Sequence, residues 1–295
     1  MKSNIHIFFE NFLLSFLTFF KVMIKSKFIL KYPAPDPLTD NILIIGNGPS
    51  LKNSIKKILT WEKLTMDFLA VNYFAQSELF VKIQPIIYVI GAPEFWITNV
   101  DDIYKEKRLK LFHTLVDLVK WDFYLYIPYE AKKVKFWQDI IRQNNHIKIV
   151  YYNNTPVEGF FFLNKLYYKN NLGLCRPHNV IIPSLFITIN LKYKNIYLTG
   201  VEHGWLPNII VNKNNEVLIK QDHFYDTEEA NYKPMKKLGK GSRHLFEVLE
   251  KFYLTFKGYF EIKKYATIKN IRIYNLTINS YIDAFEKIDI DNVNY

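Results

Sequence analysis

Short apolar runs alternate along the chain with longer stretches in which apolar residues recur every three or four positions. The runs "NILIIG" (41–46), "FLAVN" (68–72), "PIIYVIG" (85–91), "DFYLYIP" (122–128), "IKIVYYN" (147–153), "NIYLTGVEH" (195–203) and "NIRIYNLT" (270–277) read as strands. Between them the spacing predicts helices over Ser50–Trp61, 101–120, 130–144, 180–192 and 242–268. Strands separated by helices of this length make a mostly parallel sheet covered on both faces. The expected fold is α/β, a single Rossmann-like domain over 36–295. In such folds ligands gather beyond the carboxyl ends of strands. The polar residues that end three runs, Gly46–Ser50, Asn72 and Gly200–His203, are therefore the informative ones.

The pattern changes before residue 36. "IHIFFENFLLSFLTFFKVMIKSKFILK" is rich in Phe, Leu and Ile, broken by Glu10, Asn11 and Lys21. Its uninterrupted part, Phe12 to Phe20, is shorter than the ~20 residues a bilayer span needs, and no small-residue cleavage site follows it. With Lys21, Lys25, Lys27 and Lys31 behind the aromatics, residues 1–35 read as an amphipathic helical segment. It lies on an anionic membrane surface or packs on the core or a partner subunit. "KYPAPDPLTD" (31–40), with three prolines, reads as a linker.

Composition narrows the field. A 295-residue chain that is 49% hydrophobic buries a substantial core. Cys175 is the only cysteine, which excludes an internal disulfide and a thiolate zinc cluster and suits a reducing compartment. The formal net charge of +11 suits phosphorylated substrates or an anionic membrane. Lysines scattered among Asn, Tyr and Phe, without a dense basic block, argue against nucleic acid.

The chemistry concentrates at the strand ends. Gly46-Asn47-Gly48-Pro49-Ser50 is no P-loop, since no Gly-Lys-Ser/Thr follows, and it lacks the third glycine of a dinucleotide fingerprint. Either it is a plain strand-to-helix turn capped by Ser50, or its N–H groups cradle a phosphate. Asn72 ends the second run, facing the same crevice. In "CRPHNVIIPSL", Arg176 could clamp an anion, while Asn179 is an N-cap at the start of a helix, beside Val180. "YLTGVEHGW" supplies Glu202 and His203; "DHFYD" supplies His223, Tyr225 and Asp226; His244 follows "GKGSR". No His-x3-His or HExxH spacing links these residues, so general acid–base work by one histidine is the economical reading, and no metal or other cofactor is expected.

Gly46-Asn47-Gly48-Pro49-Ser50-Leu51, the strand ending in Asn72 and "YKNIYLTGVE" (193–202) together resemble the bacterial lipooligosaccharide sialyltransferases of glycosyltransferase family 42. The likeness covers 41–285 in outline. It implies a GT-A-like variant of the Rossmann-like domain, a CMP-sugar donor, a glycan or glycolipid acceptor and metal-independent inversion. It also implies a cytoplasmic enzyme held peripherally on the inner membrane; a homo-oligomer stays open. By the resemblance, Asn47, Gly48 and Ser50 meet the ribose and phosphate, and Asn72 reaches the nucleotide. Asn179 and Val180 stand where the family has a Ser-Gly pair contacting phosphate, and a second family asparagine falls near Ala92, so one nucleotide contact is missing. The two phosphate-binding tyrosines fall near Gly204 or Trp205 and near His223. The catalytic base falls on His244 by order and spacing, with His223 the rival. These departures suggest a different nonulosonic acid, Kdo or another acceptor. The competing classes are a nucleotide- or pterin-phosphate-binding protein and a non-catalytic, membrane-associated assembly subunit.

Overall fold

A computed structural model of the chain describes residues 3–36, 38–63, 65–225, 231–236 and 241–293. Helix α1 (Asn4–Lys25) precedes the first βα units: β1 (Asn41–Ile45), α2 (Leu51–Ile58), β2 (Asp67–Val71), α3 (Leu79–Ile83) and β3 (Ile87–Val89). Next come α4 (Asp102–Leu118), β4 (Phe123–Pro128), α5 (Lys135–Ile141), β5 (Ile147–Tyr152), α6 (Phe161–Lys169), α7 (Ile181–Asn190) and β6 (Asn195–Thr199). Three short strands follow, β7 (Ile209–Val211), β8 (Val217–Ile219) and β9 (Lys233–Pro234). The chain then runs through α8 (Leu245–Ile268), β10 (Arg272–Asn275) and β11 (Glu286–Lys287).

Among the described residues, eight strands form one sheet in the order β11-β10-β6-β1-β2-β3-β4-β5, and every pairing in it is parallel. Both faces are buried because the central strands are apolar along most of their length, with the polar residues at their ends. Ile42 and Ile44 of β1 join Leu185 and Phe186 of α7 and Ile262 and Tyr265 of α8 on one face. Leu43 and Ile45 join Leu51 of α2 and Leu111 and Phe112 of α4 on the other. Full burial of such side chains contributes about 1.5–3 kcal/mol each. The α7 hydroxyls do not spoil this packing: Ser184 Oγ donates to the Val180 carbonyl (2.7 Å) and Thr188 Oγ1 to that of Ser184 (3.0 Å).

The strand order places the site. From β1 the chain steps one way to β5, then crosses back to lay β6 on the other side of β1. The loops after β1 and β6 therefore part in opposite directions and open a crevice at this switch point. The antiparallel sheet β7-β8-β9 covers its far end, packing Val217 and Ile219 against Val248 and Phe252 of α8 beneath Trp205.

Helix α1 is amphipathic in an inverted sense. Its buried residues are Ser15, Thr18 and Val22, whereas Phe8, Phe9, Phe12, Phe16, Phe19 and Phe20 are exposed. Ser15 Oγ accepts from the Phe160 N–H (2.9 Å), and Thr18 Oγ1 donates to the Glu158 carbonyl (2.9 Å) while accepting its N–H (3.0 Å). The expectation that this segment is too short to span a bilayer is corrected. The helix has 22 residues and is long and apolar enough by length and composition, because it continues through Glu10, Asn11 and Lys21 instead of ending at them. The proline-rich stretch is likewise no free linker. Within it the Tyr126 hydroxyl donates to the Pro33 carbonyl and Tyr32 is buried in the main core, and just before it Asn153 exchanges two hydrogen bonds with the Lys27 backbone.

Candidate active site

The loops that follow β1 and β6 meet closely at the switch point. The Gly46 N–H donates to the Thr199 carbonyl and the Gly48 N–H to the Gly200 carbonyl, each at 2.8 Å. A Cβ on Gly46 would strike the Gly200 carbonyl oxygen, so glycine is required by the approach of the second backbone. At Gly48 the space a Cβ would fill holds the carboxylate of Glu202, whose Oε1 accepts the Ser50 N–H at 2.7 Å. The loop after β1 thus receives an anion, and in this structure the anion is the chain's own. Ser50 N–H, expected to face a phosphate, is satisfied by Glu202.

A cleft of about 530 Å³ opens between these loops, the start of α7 and one face of α8. Asn72, in the left-handed region at φ +48°, accepts the Gly91 N–H on its side-chain oxygen (3.1 Å) and ties the ends of β2 and β3 together. Asn47 Nδ2 donates to the Val71 carbonyl (3.2 Å), and the Asn47 carbonyl accepts the Phe224 N–H (3.0 Å), so the segment carrying His223 is pinned to the glycine loop. Asn179 Oδ1 caps α7 by accepting from Ile181 (2.9 Å) and Ile182 (3.2 Å). The N-termini of α2 and α7 are therefore both served by the protein's own oxygens.

His203 also takes a left-handed backbone, φ +52°, and stacks on Trp205 with ring centroids 4.2 Å apart. Its Nε2 lies 2.6 Å from the Tyr259 hydroxyl, which donates to Asn179 Oδ1 (3.2 Å). Desolvation by these neighbours pushes the His203 pKa down to about 3, so its ring is neutral at physiological pH. His178 is pushed down to about 4, first by burial and then by Lys251, Arg176 and Arg243. Lys251 is lowered by burial and Arg243, and Glu94 is raised by burial. Four buried polar atoms in this region have no hydrogen-bond partner: Asn47 Oδ1, Ser50 Oγ, His178 Nε2 and Asn179 Nδ2. Buried polar atoms left unpaired are costly, so such a group marks a place where a ligand would complete the bonding.

The structure brings Gly46, Asn47, Gly48, Asn72, Asn179, Val180, Glu202, His203 and His223 to the cleft wall. Ser50 sits behind its loop, and Tyr225 stacks flat on His223, centroids 5.1 Å apart at 4°. Arg176 is elsewhere: its guanidinium grips Glu158 through Nε–Oε1 (2.7 Å) and Nη2–Oε2 (3.0 Å), so it is a structural ion pair rather than a clamp for substrate. Burial pushes Glu158 up, but Arg176 and Lys21 outweigh it and hold the carboxyl below its usual range. His244 is exposed at the N-cap of α8, stacked on Phe246, and is not among the residues lining the cleft. Asp226 lies outside the described residues.

Cys175 is buried, with a pKa raised well above the usual thiol range by burial, and is an inert packing thiol. Among the described residues no three His, Cys, Asp or Glu side chains converge as metal ligands would. Sequence reasoning passed over Glu94 and Lys251. Glu94 carries a usable signal, since it lies in the short turn Pro93–Phe95 beyond the carboxyl end of β3; Lys251 carries none, for it reaches the cleft from within a helical pattern.

No family model matches the chain. Over 265 residues it is 25% identical to a protein of Escherichia coli (strain K12) described as a probable 3-deoxy-manno-octulosonic acid transferase, covering 83% of this chain and 80% of that one. Among solved structures it is similar to the MAf glycosyltransferase from Magnetospirillum magneticum AMB-1, with a TM-score of 0.51 at 12% identity. That alignment takes in 97% of this chain and 39% of the other, so the chain spans well under half of that protein's length. At such identity the likeness is one of fold. Taken with the parallel sheet and its switch-point cleft, these similarities make the chain glycosyltransferase-like. The sequence relative is named for octulosonic acid transfer, so the resemblance to sialyltransferases reaches as far as the glycosyltransferase class and no further.

Proposed function

We propose that the chain transfers an octulosonic, sialic or related nonulosonic acid from a CMP-sugar to a surface glycan or glycolipid, by inverting displacement without a metal. The observation that carries this reading is the cleft at the switch point, where the glycine loop and His223 are pinned to one another through Asn47 and Phe224. The similarity to a protein named for 3-deoxy-manno-octulosonic acid transfer supports the sugar-acid class. The acceptor hydroxyl attacks the anomeric carbon while a cleft histidine takes its proton, the bond to the phosphate oxygen breaks, and CMP leaves. His223 is the base in this reading: it lines the cleft, whereas His244 caps α8 outside it. Asn47 and Asn72, both on the cleft wall, face the nucleoside part of the donor in this reading.

Helix α1 serves the same reaction by holding the enzyme peripherally at the inner face of an anionic membrane. Its exposed aromatics are followed by exposed Lys25, Lys27 and Lys31, the order that suits an interfacial helix. The direct test is incubation with a panel of CMP-sugars and a lipooligosaccharide acceptor, with CMP release as the readout. Release with one sugar acid supports the reading. Nucleotide binding without release from any donor would move the chain to the class of phosphate-binding proteins.

A further inference from the structure

We infer that the oxyanion of the donor, its phosphate or its sugar carboxylate, docks on the α7–α8 wall of the cleft beside Lys251, His178 and Asn179, and not on the glycine loop. The inference rests on the donor reading above. In a βα fold the loop after the first strand is the expected phosphate seat because its N–H groups and helix N-terminus face the ligand. Here Glu202 sits over Gly48 and takes the Ser50 N–H. A second anion there would lie against a carboxylate. The other helix start at the cleft, that of α7, is capped by Asn179 Oδ1. The N–H groups of Gly46, Gly48 and Ser50 at the one place, and of Ile181 and Ile182 at the other, are spent.

The positive charge must then come from side chains. Lys220 and Lys251 are the lysines that line the cleft. Lys220 pairs with Asp222 at 4.0 Å. The Lys251 ammonium makes no hydrogen bond or ion pair among the described residues, although it is mostly desolvated and acts electrostatically on His178. Beside it, His178 Nε2 and Asn179 Nδ2 are buried and unpaired; with the imidazole proton on Nε2, the tautomer this inference requires, both donate to an arriving oxyanion. A cation and two idle donors on one wall match the three-pronged bonding of a phosphate or carboxylate. The groups acting on His178 are Lys251, Arg176, Arg243 and Glu158, and those on Lys251 are Arg243 and Glu94. An arriving anion relieves the repulsion among the cations. Glu202, on the opposite side, is left to accept donor hydroxyls.

Calorimetric titration of the full chain and of Lys251→Met with CMP, cytidine and 3-deoxy-manno-octulosonate tests this, with circular dichroism as the check on folding. The expected result is that Lys251→Met weakens CMP or octulosonate at least tenfold while cytidine stays within twofold, and that Lys251→Arg restores most of the loss. Loss confined to CMP assigns the wall to the phosphate; loss confined to octulosonate assigns it to the carboxylate. Unchanged affinities in Lys251→Met, or a tenfold gain in CMP affinity in Glu202→Ala, would put the anion back on the glycine loop and overturn the inference. If the wild-type chain binds none of these probes, the CMP-sugar reading fails by itself. The wall is then tested with inorganic phosphate and the histidine ring resonances. Movement of the His178 signals in the wild type, absent in Lys251→Met, sustains the anion subsite; no movement overturns it.

Discussion

Glu202 and Ser50, 152 residues apart in the chain, are joined by a 2.7 Å hydrogen bond from the Ser50 N–H to a carboxylate oxygen, across the space that the missing side chain of Gly48 leaves open. A charged acceptor at a helix N-terminus gains from the dipole as well as from the bond. Removing such a charge-assisted bond costs about 1.5–3 kcal/mol. Glu202→Ala and Gly48→Ala should each lower the unfolding free energy from urea titration by an amount in this range, since a Cβ at Gly48 evicts the same carboxylate. The double variant should cost little more than either single one, because all three lose one shared interaction. Strict additivity of the two effects would show that the pair does not act as a unit.

His223 and His244 separate cleanly in an assay of CMP release. His223→Ala, on the cleft wall, is expected to lose about 10²–10⁴-fold in rate. His244→Ala removes an exposed N-cap residue and should retain nearly all turnover. Collapse of His244→Ala with His223→Ala intact would restore the assignment by sequence order. Full activity in both would move the base to His203 or His178.

Arg176→Met should leave donor affinity unchanged, because the guanidinium is spent on Glu158. Its cost is to stability, of order 1 kcal/mol for a pair whose arginine is 40% exposed. Glu158 also receives Lys21 and both its backbone groups bond Thr18, so the loss should loosen α1 first. Faster amide exchange at residues 15–22, ahead of any change in the sheet, is the expected signature.

Membrane attachment is testable without cutting the chain. Phe12, Phe16 and Phe19 are 57%, 54% and 49% exposed, so changing all three to Asn leaves the packed seam of Ser15, Thr18 and Val22 intact. The triple variant should fold as before and fail to float with vesicles containing anionic lipid, whereas the parent floats. Equal flotation of both would remove α1 as the anchor.

Acid should weaken the fold through two histidines. His178 and His203 titrate near 6.5 when unfolded and at about 4 and about 3 when folded. Between those values the unfolded chain binds protons that the folded chain refuses, so stability is full above pH 6.5 and falls as the pH drops towards 4. The urea midpoint should decline from pH 7 to pH 5, and His178→Asn with His203→Asn should flatten that decline. Asp67 and Glu94, raised by burial, act in the opposite sense at lower pH, which makes the difference between parent and variant the quantity to measure.

The sequence by itself determined the strands and their alternation with helices, because a strand buried on both faces must be apolar along its length, as "ILII" and "FLAV" are. It also marked the loop at Gly46–Ser50, since two glycines at a strand end announce a close approach. It left β7, β8 and β9 unread, for strands of two or three residues carry too few positions to set a period. What fills the glycine loop was decided only in three dimensions, when the crossover from β5 to β6 laid Gly200–Glu202 beside it. The same holds for Lys251, which reaches the cleft only because α8 packs along its side, and for Arg176, whose partner Glu158 lies on a loop that also seats α1. The sense of α1 was likewise a tertiary decision. Its apolar and small polar faces are both written in the sequence, but hydrogen bonds that Ser15 accepts and Thr18 exchanges with the loop at 158–160 turned the polar seam inward and left the aromatics outside.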